Sequence, residues 1–295
     1  MFKRCQFLKK TSFVGIAGKG WKGKMGRKTK IDWADATWNP VTGCLNGCEY
    51  CYARKIAKRF GGANYEDELE NRYGEHDVVR LHAEEDVHEL DRPIADFYSG
   101  KKAPYPWEFD PTLHYYKLDE PKNWKKPRNV FVCSMADLFG SWVPDEWIRE
   151  VFEACDAASQ HRYIFLTKNP RRYYDLIEKG VLTKHDNWWL GSTIDRDSAK
   201  KQRFQMTGYN SFTSIEPLLE PIYVGLGSFG NDEWVIIGAE TGNRKKKVVP
   251  DRSWVDLIVS AANITGMKVF MKESLREIMG KDFRQEFPWE VCGNA

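Results

Sequence analysis

From residue 113 onward, short apolar runs alternate with stretches whose apolar positions repeat at helical spacing. Leu113–Lys117, Asn129–Cys133, Tyr163–Leu166, Trp189–Thr193, Ser211–Ile215, Trp234–Gly238 and Met267–Met271 read as strands. Between them the pattern predicts helices over Asp145–Ser159, Arg171–Glu178, Arg196–Gln205 and Ser253–Ala262. In the first of these, Pro144 starts the helix and Trp147, Ile148, Val151, Phe152 and Cys155 fall on one face. Upstream, Thr37–Thr42 is extended, a Gly/Cys/Asn loop follows, and Ala53–Phe60 is helical. Counting the first, this makes about eight short strands alternating with helices, hence βα units and a parallel sheet covered on both faces. The expected fold class is α/β: a parallel (β/α) barrel, full or partial. No Gly-rich dinucleotide fingerprint follows any strand.

Residues 61–110 break the alternation with mixed charge, Gly and Pro, and read as an insertion after the first helix. A helix is expected around Val78–Leu90. His76, His82 and His88 recur every six residues, which on a helix leaves them about 240° apart, so they do not share a face and no metal site is expected there. The domain reading is a basic arm over residues 1–30, expected to be disordered, and one barrel domain over 31–295.

Composition narrows the class. At 295 residues, 42% hydrophobic and 14% aromatic, the chain is too apolar for a disordered protein and long enough for a substantial core. No apolar run approaches the roughly 18 residues of a membrane span, and the first thirty residues lack an apolar signal core. A cytoplasmic protein without membrane partners is the expectation. Seven cysteines are odd in number and too sparse for a secreted disulfide scaffold. The net charge of +3 hides an asymmetry: ten of the 45 basic residues lie in residues 1–30, which hold no acid, so the rest carries 35 bases against 42 acids. The arm reads either as a phosphate-neutralising segment or as a disordered or spurious extension, with Met25 as a candidate start.

Chemistry collects at the strand ends: Ser134 with Asp137, Thr167 with Lys168, Ser192 with Thr193, Ser214 with Glu216, and Gly238 with Glu240 and Thr241. In a parallel barrel these C-terminal ends share one mouth, where barrel enzymes build their sites. The competing reading is that polar residues there cap the next helix, which is the role expected of Asp145 and Asp195. Basic runs at Lys168–Arg172 and Arg244–Lys247 would lie near that mouth and suit a phosphate-bearing nucleotide or nucleic-acid strand, or else face solvent. Trp142, Trp188 and Trp189 suit base stacking or the core.

The densest signal is Cys44, Cys48 and Cys51, three thiols within eight residues in the loop before the first helix. Such spacing lets them face one soft metal centre, with Gly43, Asn46 and Gly47 folding the backbone around it. Structural zinc wants four ligands, and no fourth Cys or His lies within ten residues. A 4Fe–4S cluster on three thiolates would leave one iron open for a ligand. Zinc with a remote fourth ligand, Cys133 or a His, stays open, as do three unrelated thiols. Cys5, Cys133, Cys155 and Cys292 read as unpaired.

This C-x3-C-x2-C loop, with Tyr50 before the last Cys, resembles the radical S-adenosylmethionine superfamily. The resemblance implies that Cys44, Cys48 and Cys51 bind a 4Fe–4S cluster whose open iron chelates S-adenosyl-L-methionine. It further implies that an electron from the cluster splits the sulfonium to a 5′-deoxyadenosyl radical, and that Tyr50 packs near the adenine. A reducing electron donor such as a flavodoxin or ferredoxin is implied as partner. A closer similarity runs from Met25 through Thr37-Trp38-Asn39-Pro40, Ser134 to Phe139, Leu166-Thr167-Lys168, Ser214 to Leu219, Trp234 to Glu240 with Gly242, and Val269 to Lys272. These motifs resemble a phage and bacterial family named for its three-Cys motif and classed as radical-SAM-like. That family usually has two glycines before the Glu, where this chain has Gly238-Ala239-Glu240. The expected assignment is Cys44, Cys48 and Cys51 to the cluster, and Tyr50, Ser134, Asp137, Ser192 and Glu216 to the cofactor. Lys168 and Glu240 are expected to act on substrate or protons. The alternative is a non-catalytic Fe–S or zinc protein that binds nucleic acid through its basic arm.

Overall fold

A computed structural model describes residues 29–61, 78–82, 85–94, 102–224, 229–242 and 244–290. The expectations for the arm up to residue 28, for His76, and for Cys5 and Cys292 lie outside the described residues.

Among the described residues the strands form two sheets. The larger takes β1 (Ala36–Trp38), β6 (Asn129–Val132), β7 (Arg162–Thr167), β8 (Trp188–Thr193), β9 (Asn210–Ile215), β10 (Trp234–Ile237) and β11 (Lys268–Met271) in that spatial order, every pair parallel. The smaller is ordered β2-β5-β4-β3, with β2 at Val41–Thr42, β3 at Val78–His82, β4 at Glu85–Leu90 and β5 at Thr112–His114. The helices are α1 (Tyr52–Phe60), α2 (Asp145–Asp156), α3 (Arg171–Glu178), α4 (Arg252–Thr265) and the single turn α5 (Arg276–Met279).

The sheet is an open, curled one. Trp33, just before β1, has its ring centroid 4.6 Å from Phe131 on β6 and 6.2 Å from Trp234 on β10. Those strands are four positions apart, about 19 Å in a flat sheet. One indole reaches both only because the sheet wraps around it. The first and last strands do not pair, although Asp32 accepts the Glu273 N–H at 2.9 Å across the gap. This is a partial (β/α) barrel. Phe131, Ile164, Trp189, Phe212, Trp234, Ile236 and Phe270 fill its interior, and Phe287 and Trp289 close the end where the strands begin. The outer face packs against the helices. The five residues expected on one face of α2 are all buried there.

Four elements differ from expectation. Leu113 sits in β5, which pairs antiparallel with β2 and parallel with β4, so the large sheet has seven strands rather than eight. Thr37–Thr42 splits at Asn39-Pro40: proline has no N–H for the ladder, and β1 and β2 part to different sheets. Where a helix is expected around Val78–Leu90, Val78–His82 and Glu85–Leu90 are antiparallel strands, in keeping with the β-branched Val78-Val79 start. Arg196–Gln205 holds only a 3₁₀ turn, Asp197–Lys201. Its later N–H groups go elsewhere: Phe204 N–H to Ser192 Oγ at 2.9 Å and Gln205 N–H to the Tyr174 hydroxyl at 2.7 Å. No helix among the described residues is long and apolar enough to cross a membrane.

Candidate functional site

The thiol loop runs from the end of β2 to the start of α1 and is held at both ends. Gly43 N–H donates to Met135 O at 2.9 Å and Cys44 N–H to Phe109 O at 3.0 Å. Gly43 has φ +87°, and a Cβ there would stand 2.1 Å from the Asp110 carbonyl oxygen, so the close approach of two backbones requires glycine. At the far end Cys51 is the N-cap of α1, its Sγ accepting the Arg54 N–H at 3.3 Å. Arg54 reaches back to Cys44 O at 3.0 Å and lies over the Phe109 ring.

Asp137, beyond β6, ties this loop to the sheet. One oxygen accepts the Thr167 hydroxyl at 2.6 Å and the Phe139 N–H at 3.2 Å. The other accepts Asn46 Nδ2 at 2.9 Å and the Lys168 N–H at 3.0 Å. A buried carboxylate with four donors is well satisfied. It joins the thiol loop to the ends of β6 and β7.

Cys44, Cys48 and Cys51 line one cavity of about 220 Å³ over the strand C-termini. Tyr50, Ser134, Asp137, Lys168, Glu216 and Glu240 line it too. So do Thr193, Ser214 and Lys272. The structure therefore brings together all the sequence-assigned residues except Ser192. That side chain is buried against the helical layer, where its hydroxyl accepts the Phe204 N–H, while its neighbour Thr193 turns to the cavity, as strand alternation requires. Ser192→Ala should accordingly lower stability by about 1–2 kcal/mol through the orphaned Phe204 N–H. It should leave any cavity chemistry unchanged, as thermal melts and turnover assays would read.

Charges in the site are paired. The Tyr50 hydroxyl donates to Asp195, and Lys168 Nζ bonds the same carboxylate at 3.0 Å with the ammonium 5.4 Å from the Tyr50 ring. Burial pushes the Asp195 carboxyl up, but the Tyr50 hydroxyl and Lys168 ammonium outweigh it and hold the group below its ordinary range. Burial raises Tyr50, as does its bond to Asp195. Lys272 Nζ meets Glu216 Oε1 at 2.5 Å. Glu240 is buried, accepts Arg244 Nε and Nη2 at 2.6 and 2.7 Å and the Val248 N–H at 3.1 Å, and is held below its ordinary range mainly by Arg244. With three donors on it, Glu240 holds Arg244 and the Val248 backbone in place. Burial pushes the Cys44 thiol up to about 12. A ligand thiol must lose its proton, so a metal that binds here displaces one.

Asp195 was expected only to cap a helix. It instead holds Tyr50 and Lys168, and Asp145 pairs with Arg172 and Lys179. Asp195 follows β8 as directly as the other site residues follow their strands, and that position was its available signal. Arg244 of the basic run lines a second recess of about 590 Å³, with Lys168 and Arg196; Cys48, Tyr50 and Thr193 belong to both spaces. Lys245, Lys246 and Lys247 are exposed. Trp188 and Trp189 are buried in the core, and Trp142 is half-buried against it.

Among known proteins, residues 28–279 match the model of the family described as "Protein of unknown function (DUF5131)". No curated protein matches the chain. Two structures of spore photoproduct lyase are similar to it. One, complexed with dinucleoside spore photoproduct, has a TM-score of 0.47 at 10% identity and covers 85% of this chain and 80% of its own. The other, a double mutant with bound AdoMet and dinucleoside spore photoproduct, has a TM-score of 0.45 at 11% identity, covering 83% and 78%.

Proposed function

We propose that this chain, which belongs to the DUF5131 family, is a radical S-adenosylmethionine enzyme whose cluster is held by Cys44, Cys48 and Cys51. The observation that carries the reading is the set of three free thiols on one wall of a cavity ringed by the polar ends of the barrel strands. The donor chemistry fits the group. Soft thiolates suit iron–sulfur clusters. The neighbouring carboxylates Asp137, Glu216 and Glu240 are already engaged by this chain's own donors and do not compete as ligands. Among the described residues no three His, Cys, Asp or Glu side chains are grouped as ligands of one ion. Cys44, Cys48 and Cys51 would each supply one thiolate to the cluster.

When bound, the cluster and S-adenosyl-L-methionine supply reductive sulfonium cleavage and a carbon radical able to take hydrogen from a substrate. The chain's own residues do the rest. Asp195 fixes the Tyr50 ring as a flat wall for the adenine, and Lys168, bonded to the same carboxylate oxygen and lying over the ring, braces it. The Glu216–Lys272 pair offers opposite charges at one place on the wall, suited to the zwitterionic methionyl end. Ser214 Oγ, on the same wall, is buried and has no hydrogen-bond partner, leaving a polar group for a ligand to satisfy. Phe131 and Leu166 make the floor apolar and exclude water. The adjoining recess carries Lys168, Arg196 and Arg244 against Asp195 and Glu49, an excess of positive charge that supports a phosphate-bearing substrate, a nucleotide or nucleic-acid strand.

Protein purified without oxygen should be brown and hold about four irons per chain. With dithionite it should release 5′-deoxyadenosine from S-adenosyl-L-methionine. Joint replacement of Cys44, Cys48 and Cys51 by alanine should abolish both, whereas Cys133→Ala should abolish neither. Stoichiometric zinc in place of iron, or iron without cleavage, would overturn the reading.

A further inference from the structure

The helix that leaves the thiol loop sorts its side chains into two rows. Tyr52, Ile56 and Phe60 recur every four residues on α1 and are 50%, 37% and 55% exposed. At about 100° per residue they span about 80° of the helix surface. Lys58, Lys55 and Arg59, all exposed, occupy the next stretch of about 100° on one side of that row. On its other side the small Ala53 and Ala57 are buried. The helix holds no acid, although residues 31–295 together carry 35 bases against 42 acids. Its cations also differ from those of the recess. Lys168, Arg196 and Arg244 are each bonded to a carboxylate. Among the described residues no carboxylate pairs with Lys55, Lys58 or Arg59, and Arg59 lies over the Phe60 ring, 5.5 Å from its centroid. Tyr52 begins the aromatic row inside the site: it lines the cavity that holds the three thiols, and its hydroxyl donates to Ser134 O at 2.7 Å, which fixes the ring.

We propose that this face of α1 binds a single strand of nucleic acid and leads it into the thiol cavity, with phosphates on Lys55, Lys58 and Arg59 and bases on Phe60 and Tyr52. That the strand comes as substrate rests on the function proposed above, and the inference narrows that substrate from a nucleotide to a strand. Three features select this occupant. The open charge lies along one flank of the aromatic row. A protein docked on an apolar centre meets a polar rim around it, whereas a strand carries its phosphates to one side of its bases. Exposed rings beside a basic track, one of them under an arginine, are the parts from which sequence-tolerant single-strand sites are built, and a duplex hides the base faces that such rings need. Tyr52 belongs to both the row and the cavity, so whatever lies on the row reaches the reacting centre, as a substrate must. A mononucleotide held in the cavity would leave Arg59, about 10 Å along the axis from Tyr52, without a partner.

The test follows fluorescence anisotropy of a labelled dodecamer on the full chain, as single-stranded DNA, as single-stranded RNA and as duplex, with poly-L-glutamate as a polyanion without bases. Binding of either single strand supports the proposal, and the tighter of the two names the source. The duplex should bind roughly tenfold or more weakly. Phe60→Ala should weaken single-strand binding about 5- to 150-fold, the worth of one stacked base, and leave its salt dependence unchanged. Joint Lys55→Gln, Lys58→Gln and Arg59→Gln should instead lower the slope of log K against log salt by about 2, at about 0.7 for each phosphate contact. Iron content and dithionite-driven S-adenosyl-L-methionine cleavage without oligonucleotide should stay at wild-type levels in both variants. Wild-type affinity in both variants, the result if the basic arm alone binds, overturns the proposal. So does a duplex bound as tightly as the strand, or displacement of the strand by poly-L-glutamate at equal charge, which would mark a face for acidic protein. Residues 62–77, which follow α1, carry six acids. Cross-linking from Phe60→Cys to that segment that the oligonucleotide does not displace would make the chain itself the occupant and overturn the proposal as well. Strand binding that meets these tests in protein without iron would keep the surface and sink the enzyme reading. Iron and cleavage at wild-type levels with no effect of either variant on binding would do the reverse.

Discussion

Asp137→Ala should be the most damaging single substitution of a polar residue in the site. It removes one carboxylate and leaves four donors, from Asn46, Phe139, Thr167 and Lys168, without their acceptor. Each buried donor left unsatisfied costs about 1–3 kcal/mol, so the Phe139 N–H and Thr167 hydroxyl with the two partly exposed donors together cost about 3–5 kcal/mol. In a domain of this size that lowers the melting temperature by roughly 10 °C. The effect on the thiol loop should exceed the effect on the fold, because Asn46 lies between Cys44 and Cys48 and its amide is what Asp137 holds. Iron content should therefore fall several-fold in protein that remains soluble and helical by circular dichroism. Asp137→Asn keeps the shape but offers an NH2 where an acceptor is needed, so it should fall between wild type and alanine on both measures. Alanine protein with full iron and a melting point within 2 °C of wild type would show that the loop is held by its glycine and its cap alone.

The legible part of this molecule was the part written in local patterns. The large parallel sheet shows as apolar runs because its strands are buried on both faces, and α2 shows because five large side chains repeat at helical spacing. The three thiols are legible because their spacing is local. The small sheet was not: β5 is three residues long, and whether Leu113 joins one sheet or the other is settled by partners seventy residues upstream. Ser192 and Thr193 show the same limit inside the site. Both are hydroxyl residues at a strand end, and only the phase of the alternation decides which one turns to the cavity. Asp195 looked like a cap because the next segment looked helical. That helix is cut short by Ser192 and Tyr174 taking its backbone N–H groups, contacts that no periodicity encodes. Polar groups that hold other polar groups, such as Asn46 on Asp137, leave no pattern along the chain at all.

Two glycines in the thiol loop make the second large prediction, by contrast. Gly43 and Gly47 both have positive φ, +87° and +69°. An alanine at either pays roughly 1 kcal/mol or more for that backbone region. They differ in what surrounds them. A Cβ at Gly47 meets nothing within 4 Å, whereas at Gly43 it would meet the Asp110 carbonyl oxygen at 2.1 Å, the Asp110 carbonyl carbon at 2.3 Å and Pro111 N at 2.7 Å. Those are backbone atoms, fixed by β5 and by the Cys44 N–H bond to Phe109 O, and cannot swing aside as a side-chain tip would. Gly43→Ala must therefore push the start of the loop off the 109–111 segment, breaking the Gly43 to Met135 bond and displacing Cys44. Gly47→Ala should keep its iron and melt within a few degrees of wild type. Gly43→Ala should lose most of its iron and melt at least 8 °C lower, with new proteolytic cleavage between Thr42 and Tyr52. Equal behaviour of the two variants would mean that the loop does not pass this close to residues 109–111, and that the thiols are presented by some other backbone path.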